Sequence, residues 1–454
     1  MILKKIANFK DKTAISHNLK ELTYNELIIS IKKLIKKIKK EKIQLKDLIA
    51  VEINDSDHYI ISALACIEGG YSFLPINPNM TKTEKDKILK FSKPKFIISI
   101  YKNKFFIKKL IEDKNTFEKQ ICIFFTSGTT AFPKGVCHLP ANLIKNAQEF
   151  NRQVNIKRNK SFLHLFPMYY MAGFLNSIIS PLLAGSKIVI FDKTFPSNYL
   201  NFWKIVIEKN INYFWASPSI IKMISEINIS TDDHTKIKKF FDFIFVGTAP
   251  FHLALKKNFK KKFNIECYES YGSSEMLLVS SNYLKNVYGS GKLLKGIKIK
   301  KDSLKNLLIS SPFKFYGYLK KDKKIEINND KYFNSGDTFL TKKNFIKIVG
   351  RTKDIIIKEG INISPKYLED EILKIKYVDE VSVIGIKNNL YGEVPIAFIK
   401  SKKKLPYSVI INELKKKISA KILPFDIVRL KVLPKNNIGK IDKNRLLKKY
   451  DNRA

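Results

Sequence analysis

Short apolar runs alternate along this chain with amphipathic stretches, and the two patterns predict different elements. The segment opening at Leu22-Thr23-Tyr24-Asn25-Glu26-Leu27 predicts an amphipathic helix to about Ile38, capped by Thr23 with Glu26 three residues on. A strand follows over 47–53, then a helix over 58–70 that stops at Gly69-Gly70. The run Ile121-Cys122-Ile123-Phe124-Phe125 predicts a buried strand. Beyond it helices over 142–152, 200–209, 219–227 and 252–263 are interleaved with apolar stretches over 162–166, 187–191, 212–216, 243–246 and 265–268. Such alternation predicts a layered α/β sheet, with ligands at the carboxyl ends of its strands. From Asn306 the texture changes to short strands over 307–310, 324–327 and 345–349. A final unit begins near Arg351 with strands and helices over 365–376 and 408–422. The expected organisation is a large α/β domain over 1–350 and a small α+β domain over 351–454.

Composition changes this picture little. The chain has 454 residues, 44% of them hydrophobic, enough for a large core and a small one. Cys66, Cys122, Cys137 and Cys267 stand alone, mostly in apolar runs, which reads as reduced core cysteines and a cytoplasmic setting. Met1 to Lys12 holds no signal-peptide core, and nowhere is there an apolar run of transmembrane length. The balance of 84 Lys+Arg against 41 Asp+Glu gives a formal charge of +43. Lysine is spread over nearly every segment beside abundant Ile and Asn, as a compositional bias would spread it. No specific nucleic-acid partner is expected, because such readers concentrate charge on one face or tail. Clusters such as Lys256-Lys257 and Lys260-Lys261-Lys262 read as the solvated face of a helix. The charge would still draw in anionic substrates and leaves a peripheral anionic-surface contact open.

The candidate chemistry starts where the strand at 121–125 ends. Thr126-Ser127-Gly128-Thr129-Thr130-Ala131-Phe132-Pro133-Lys134-Gly135 is a loop of hydroxyls and glycines with one lysine. Small residues let backbone N–H groups approach an anion, and Lys134 adds a point charge, so this is a phosphate cradle. It is not a Walker A loop, since Lys134 is followed by Gly135 and Val136. By itself it reads equally well as a surface turn. Further stretches follow in order: Pro167-Met168-Tyr169-Tyr170-Met171-Ala172-Gly173, Gly247-Thr248-Ala249-Pro250, Tyr271-Gly272-Ser273-Ser274-Glu275, and Ser335-Gly336-Asp337. The last are the long run Gly350-Arg351-Thr352-Lys353-Asp354 to Gly360 and Pro365, and Pro434 to Asp442 with Gly439-Lys440-Ile441.

In this order, spanning nearly the whole chain, these stretches resemble the motifs of the adenylate-forming superfamily: acyl- and aryl-CoA synthetases, luciferases and peptide-synthetase adenylation domains. Ala131, Tyr170, Ser274 and Glu359 stand where that family usually has Gly, His, Thr and Gly. The resemblance implies roles. Thr126, Ser127, Gly128, Thr129, Thr130 and Lys134 would grip the ATP phosphates. Gly247, Thr248 and Ala249 would border the adenine and acyl sites. Tyr271 would lie near adenine, the Ser274 hydroxyl would contact the α-phosphate, and Gly272 and Ser273 would belong to the same nucleotide site. Glu275 would hold Mg²⁺, Asp337 and Arg351 would meet the ribose, and Lys353 would be the interdomain hinge. Gly360 would line the pantetheine tunnel. Lys440 would bridge the substrate carboxylate and the α-phosphate, acting with Glu275 and Thr126 in catalysis.

The implied activity is an ATP-dependent acid–thiol ligase that joins a small-molecule carboxylic acid to CoA through an acyl-adenylate. A carrier protein's phosphopantetheine is the alternative acceptor. A non-catalytic AMP- or acyl-binding protein is the alternative of another class, although such a binder has no need of Lys440. The amino-acid-activating branch places an Asp near 167–173 to pair the substrate amine. No acid occurs between Asn155 and Phe191, which argues against an α-amino acid substrate.

Overall fold

Three sheets carry the fold. In this computed structural model the described residues are 1–112, 116–126, 133–193, 196–283, 289–359, 361–403, 406–436 and 439–451. Ser127 to Thr130 and Gly360, which the sequence singles out, lie outside them.

The first sheet has 13 strands and changes character along its width. Thr13–His17, Lys187–Ile190, Ser161–His164, Tyr213–Ala216, Phe243–Val246 and the start of Glu266–Ser273 run parallel. The end of Glu266–Ser273 pairs antiparallel with Leu277–Ser281, and the sheet continues through Gly291–Leu293, Phe345–Arg351 and Phe333–Lys342. The strand 265–268 of the sequence reading is therefore twice as long, because its second half acquires a new partner. The second sheet has eight strands. Cys122–Thr126 and Lys134–His138 form a hairpin within it, in register from Cys122 opposite His138 to Thr126 opposite Lys134. The third sheet has five strands, all drawn from Ile356 onward. A large mixed α/β domain and a smaller C-terminal domain result, as the sequence implies.

Between the two large sheets lies the main core. Phe174 packs on Phe73 and Phe124 of one sheet at 5.4 and 5.5 Å, and Phe150 packs on Trp215 and Phe245 of the other at 5.5 and 5.1 Å. Each such buried ring contributes about 1.5–3 kcal/mol through apolar area alone. Helix Asp57–Glu68 is apolar almost all round because it lies inside this core. Helix Tyr24–Lys40 is polar on its outer face and starts at a capping box between Thr23 and Glu26.

Two expectations are corrected. The stretch 408–422 is not one helix: Tyr407–Lys415 ends, and Ser419 caps a separate 3₁₀ turn, Ala420–Ile422, by accepting from Lys421 N. The lysines of helix Leu253–Phe263 are not simply solvated. Lys256 pairs with Glu269 at 3.0 Å and Lys260 with Glu266 at 2.6 Å, tying the helix to the next strand. Helices Lys82–Ser92 and Thr231–Phe240 are absent from the sequence reading. Among the described residues, no helix is long and apolar enough to cross a membrane. All four cysteines are free and buried.

Candidate active site

The motif Tyr271 to Glu275 sits where the first sheet switches from parallel to antiparallel pairing, the kind of place where α/β sheets open a crevice. Gly272 is required there. A Cβ at this position would meet the carbonyl oxygen of Leu277 at 2.2 Å, and Leu277 itself holds a left-handed φ of +58°. Backbone cannot yield as a flexible side chain can. Gly272→Ala is therefore expected to destabilise the protein by about 1–3 kcal/mol, read as a lower denaturant midpoint.

A cleft of about 610 Å³ opens beside this motif, walled by both domains. Thr248, Ala249, Tyr271, Gly272, Asp337, Arg351 and Lys440 all line it. Asp337 is buried on the strand Phe333–Lys342, opposite Arg351 on the neighbouring strand. Its carboxylate accepts from Arg351 Nε at 2.9 Å and from the Tyr271 hydroxyl at 2.5 Å. Burial, then the negative Asp337, raises the Tyr271 phenol well above its ordinary pKa, so it remains a donor. Thr248 holds φ +71°, a left-handed conformation that costs a β-branched residue about 1–2 kcal/mol. Such strain gathers where a turn is held for a purpose.

Lys440 enters the cleft from the C-terminal domain. Its loop is closed by Asn436, whose backbone N–H donates to Lys440 O at 2.8 Å and whose Oδ1 accepts from Lys440 N at 3.0 Å. The side chain is exposed and lines the cleft. Desolvation by the cleft walls lowers the ammonium pKa, and Arg351, Lys443 and Lys353 lower it further, while Asp354 raises it. Asp354 is itself paired with Lys443 at 2.9 Å. A cluster of cations at this end of the cleft is suited to an anion.

A second group stands apart from the cleft walls. The Tyr318 hydroxyl donates to Glu275 Oε1 at 3.1 Å, and Lys134 Nζ lies 5.3 Å above the same ring. The turn is pinned by Met276 N donating to Ser273 Oγ at 3.1 Å and by the His138 ring against Ser274 O at 2.6 Å. Burial lowers His138 to about 4, so the neutral ring donates through Nε2. Thr126 faces Lys134 at the mouth of the hairpin. Gly247 closes its strand against Trp215, and Lys353 is exposed on the turn Thr352–Asp354. The sequence reading missed His138 and Tyr318. A histidine inside the apolar strand before a site motif was the available signal for the first; Tyr318 left none.

Glu275 keeps lone pairs beyond the one Tyr318 occupies. Among the described residues, no group of three or more His, Cys, Asp or Glu could cage a metal ion. A single carboxylate with acceptor capacity to spare fits Mg²⁺, which takes few protein carboxylates and completes its shell with phosphates and water. Glu359, where the superfamily usually has Gly, holds φ +50°, the left-handed region that glycine enters without cost.

The motif Pro167 to Gly173 folds as a tight start of helix. A Cβ on Gly173 would meet Pro167 O at 1.9 Å, and Phe174 N donates to Tyr170 O at 2.8 Å. An acid does reach this stretch, from elsewhere in the chain. Asp55 Oδ1 accepts from Met168 N at 2.7 Å and Oδ2 from Lys193 Nζ at 2.6 Å. Burial raises the Asp55 pKa, but Lys193, His164 and the Met168 N–H together outweigh it and the net shift is downward.

The AMP-binding enzyme model matches residues 3–308 and the AMP-binding enzyme C-terminal domain model matches residues 367–440. The chain is 23% identical to the 2-succinylbenzoate–CoA ligase of Oceanobacillus iheyensis, over 98% of this chain and 96% of that one. MatB from Rhodopseudomonas palustris with ATP bound superposes at a TM-score of 0.87, with 20% identity and 99% of both chains covered. The o-succinylbenzoate CoA synthetase of Bacillus subtilis, in complex with its acyl-adenylate intermediate, superposes at 0.80 with 19% identity, over 98% of this chain and 97% of that one. The chain belongs to the AMP-binding enzyme family, the adenylate-forming superfamily that its motifs resemble, and carries both the main and the C-terminal domain of that class of AMP-forming ligases.

Proposed function

We propose that this protein is an ATP-dependent carboxylic acid–CoA ligase. The observation that carries the reading is the cleft itself: Asp337, Arg351 and Tyr271 on one wall and Lys440 from the other domain face a common space. An ionised carboxylate suits a ribose diol, because charged acceptors make strong hydrogen bonds. Lys440 is the cation placed where negative charge would develop on an α-phosphate.

In the first half-reaction an oxygen of the substrate carboxylate bonds to the α-phosphorus, and the bond to the β-phosphate oxygen breaks. Such transfer is accelerated mainly by positioning and charge stabilisation. Thr126 and Lys134 flank the loop that would grip the departing phosphates. Glu275 would hold Mg²⁺, which supplies neutralising charge to the pyrophosphate when bound. In the second half-reaction a thiol gives up its proton to solvent, its sulfur bonds to the acyl carbon, and AMP leaves with the electron pair of the broken acyl–phosphate bond. We place the domain boundary near residue 350 and the hinge at Lys353. Rotation there would withdraw Lys440 and bring Gly360 to the thiol path, a hinge closure of a familiar kind. CoA is the proposed thiol.

Asp55 supports an acid without an α-amino group. Its carboxylate reaches the acyl-gate stretch but is already shared between Lys193 and a backbone N–H, so it has no charge to spare for a substrate amine.

The test is pyrophosphate release with ATP and Mg²⁺ across fatty, aryl, dicarboxylic and amino acids, with and without CoA. Turnover of one acid class that CoA accelerates supports the ligase. A single burst that CoA does not follow into turnover assigns the thiol to a carrier protein. Silence with every acid, while AMP still binds, overturns the enzymatic reading.

A further inference from the structure

The loop that carries Lys440 is held against the large domain by contacts that converge on one short helix, Pro218–Glu226. Ser219 Oγ donates to Gly439 O at 2.9 Å, immediately before the lysine. Ser219 is itself fixed by Ser217 Oγ at 2.8 Å, the cap of that helix. The fit is close: Gly439 has φ +75°, and a Cβ there would come within 2.5 Å of Ser219 Oγ.

One turn further along the helix, Lys222 crosses the same interface. Its ammonium donates to Asp379 O at 3.0 Å and to Glu380 Oε1 at 3.1 Å. The other oxygen of Glu380 meets Lys435 at 2.8 Å. Lys435 opens the Lys440 loop, where it pairs with Ile441 across the loop's neck. One largely buried carboxylate therefore clasps a lysine of the large domain and a lysine at the base of the catalytic loop. Burial pushes the Glu380 carboxyl up, but Lys435 and Lys222 more than offset this and hold it below its ordinary range.

We infer that Ser219, Lys222 and Glu380 are positioning residues that seat Lys440 in the cleft for acid activation. The inference rests on the ligase reading above. None of the three needs to touch the reacting atoms. They fix where the loop lands on the large domain, through contacts that cross from that domain to the C-terminal one. Their loss should spare any step that does not need Lys440 in the cleft.

Lys222→Ala, Lys222→Arg, Glu380→Gln and Ser219→Ala are compared with the unaltered chain in three measurements. ATP–pyrophosphate exchange with the accepted acid reports the first half-reaction, and thioester formation from supplied acyl-adenylate reports the second. Backbone amide exchange across 435–441 reports the seating itself. A misplacement of about 1 Å can cost up to 10²-fold, so exchange should fall about tenfold or more in Lys222→Ala and Glu380→Gln. The fall should be in kcat, with KM for ATP little changed. Thioester formation from supplied adenylate should hold or rise, amides of 435–441 should exchange several-fold faster, and Lys222→Arg should recover most of the activity. Equal losses in both half-reactions, or unchanged amide exchange, overturn the seating role. If the unaltered chain forms no adenylate with any acid, it is the ligase reading that fails. Amide exchange still decides whether Lys222 and Glu380 hold the loop.

Discussion

Lys440→Ala is expected to slow acyl-adenylate formation by about 10²-fold or more, while thioester formation from supplied acyl-adenylate keeps most of its rate. The argument is electrostatic. The ammonium stands at the cationic end of the cleft, beside Arg351, Lys443 and Lys353, with Asp354 partly offsetting them. In such a place a charge is worth more than in water, and no solvent need reorganise as the α-phosphate gains negative charge. The same surroundings lower the ammonium pKa, so the first half-reaction should fail at a lower alkaline pH than an ordinary lysine would allow. The sign follows from the required form: protonated Lys440 is active, its pKa is depressed, and activity is lost as pH rises through that value. Bound nucleotide brings negative charge and raises it again, so kcat should hold to higher pH than kcat/KM. Lys440→Arg keeps charge at all these pH values and should remove the alkaline limb of whatever activity it retains. Unimpaired adenylation in Lys440→Ala would show that another group serves the α-phosphate.

The architecture was legible because the strands are short apolar runs and the helices between them are amphipathic. Phe243–Val246 emerges at the bounds its sequence suggests, as does the capping box at Thr23. Helix Thr231–Phe240 was missed because it buries a single apolar residue, Ile237, and so leaves almost no periodic trace. Its cap was readable: Ser230 accepts from Asp233 N, three residues on. The break between Tyr407–Lys415 and Ala420–Ile422 was hidden by apolar spacing that continues past it. Within the site, the order of motifs picked out Asp337, Arg351, Tyr271 and Lys440, and the fold brings these onto one cleft. What no motif announced were the residues that hold the motifs still. His138 reaches Ser274 across 136 residues of sequence, Asp55 reaches Met168 across 113, and Ser219 reaches Gly439 across 220. Contacts of that span depend on packing, and local pattern carries no record of them. The surplus of lysine is part of the same lesson, since Lys222 and Lys435 look like any others until Glu380 is placed between them.

Asp337→Ala should weaken ATP and AMP binding by about 10- to 100-fold, the equivalent of one charged hydrogen bond at about 1.5–3 kcal/mol. The carboxylate is only 4% exposed and supports two partners that themselves line the cleft. Without it Arg351 loses its counter-charge and Tyr271 loses the acceptor that orients its ring. The larger penalty of about 3–5 kcal/mol for breaking a fully buried ion pair does not apply, because the Arg351 side chain remains 43% exposed and water can take up part of its charge. Folding should therefore suffer less than binding. Asp337→Asn separates the two contributions. Its amide keeps one carbonyl acceptor but turns an N–H₂ group toward either Arg351 or Tyr271, so binding should fall between the other two chains. Arg351→Ala frees one carboxylate oxygen while leaving Tyr271 in place, and should weaken nucleotide binding less than Asp337→Ala if the carboxylate is what meets the diol. Calorimetry with AMP and with 2′,3′-dideoxy-AMP makes the decisive comparison. The unaltered chain should distinguish the two nucleotides and Asp337→Ala should not. A chain lacking Asp337 that still prefers AMP to the same degree would place the ribose elsewhere in the cleft and leave the Asp337–Arg351 pair a purely structural part.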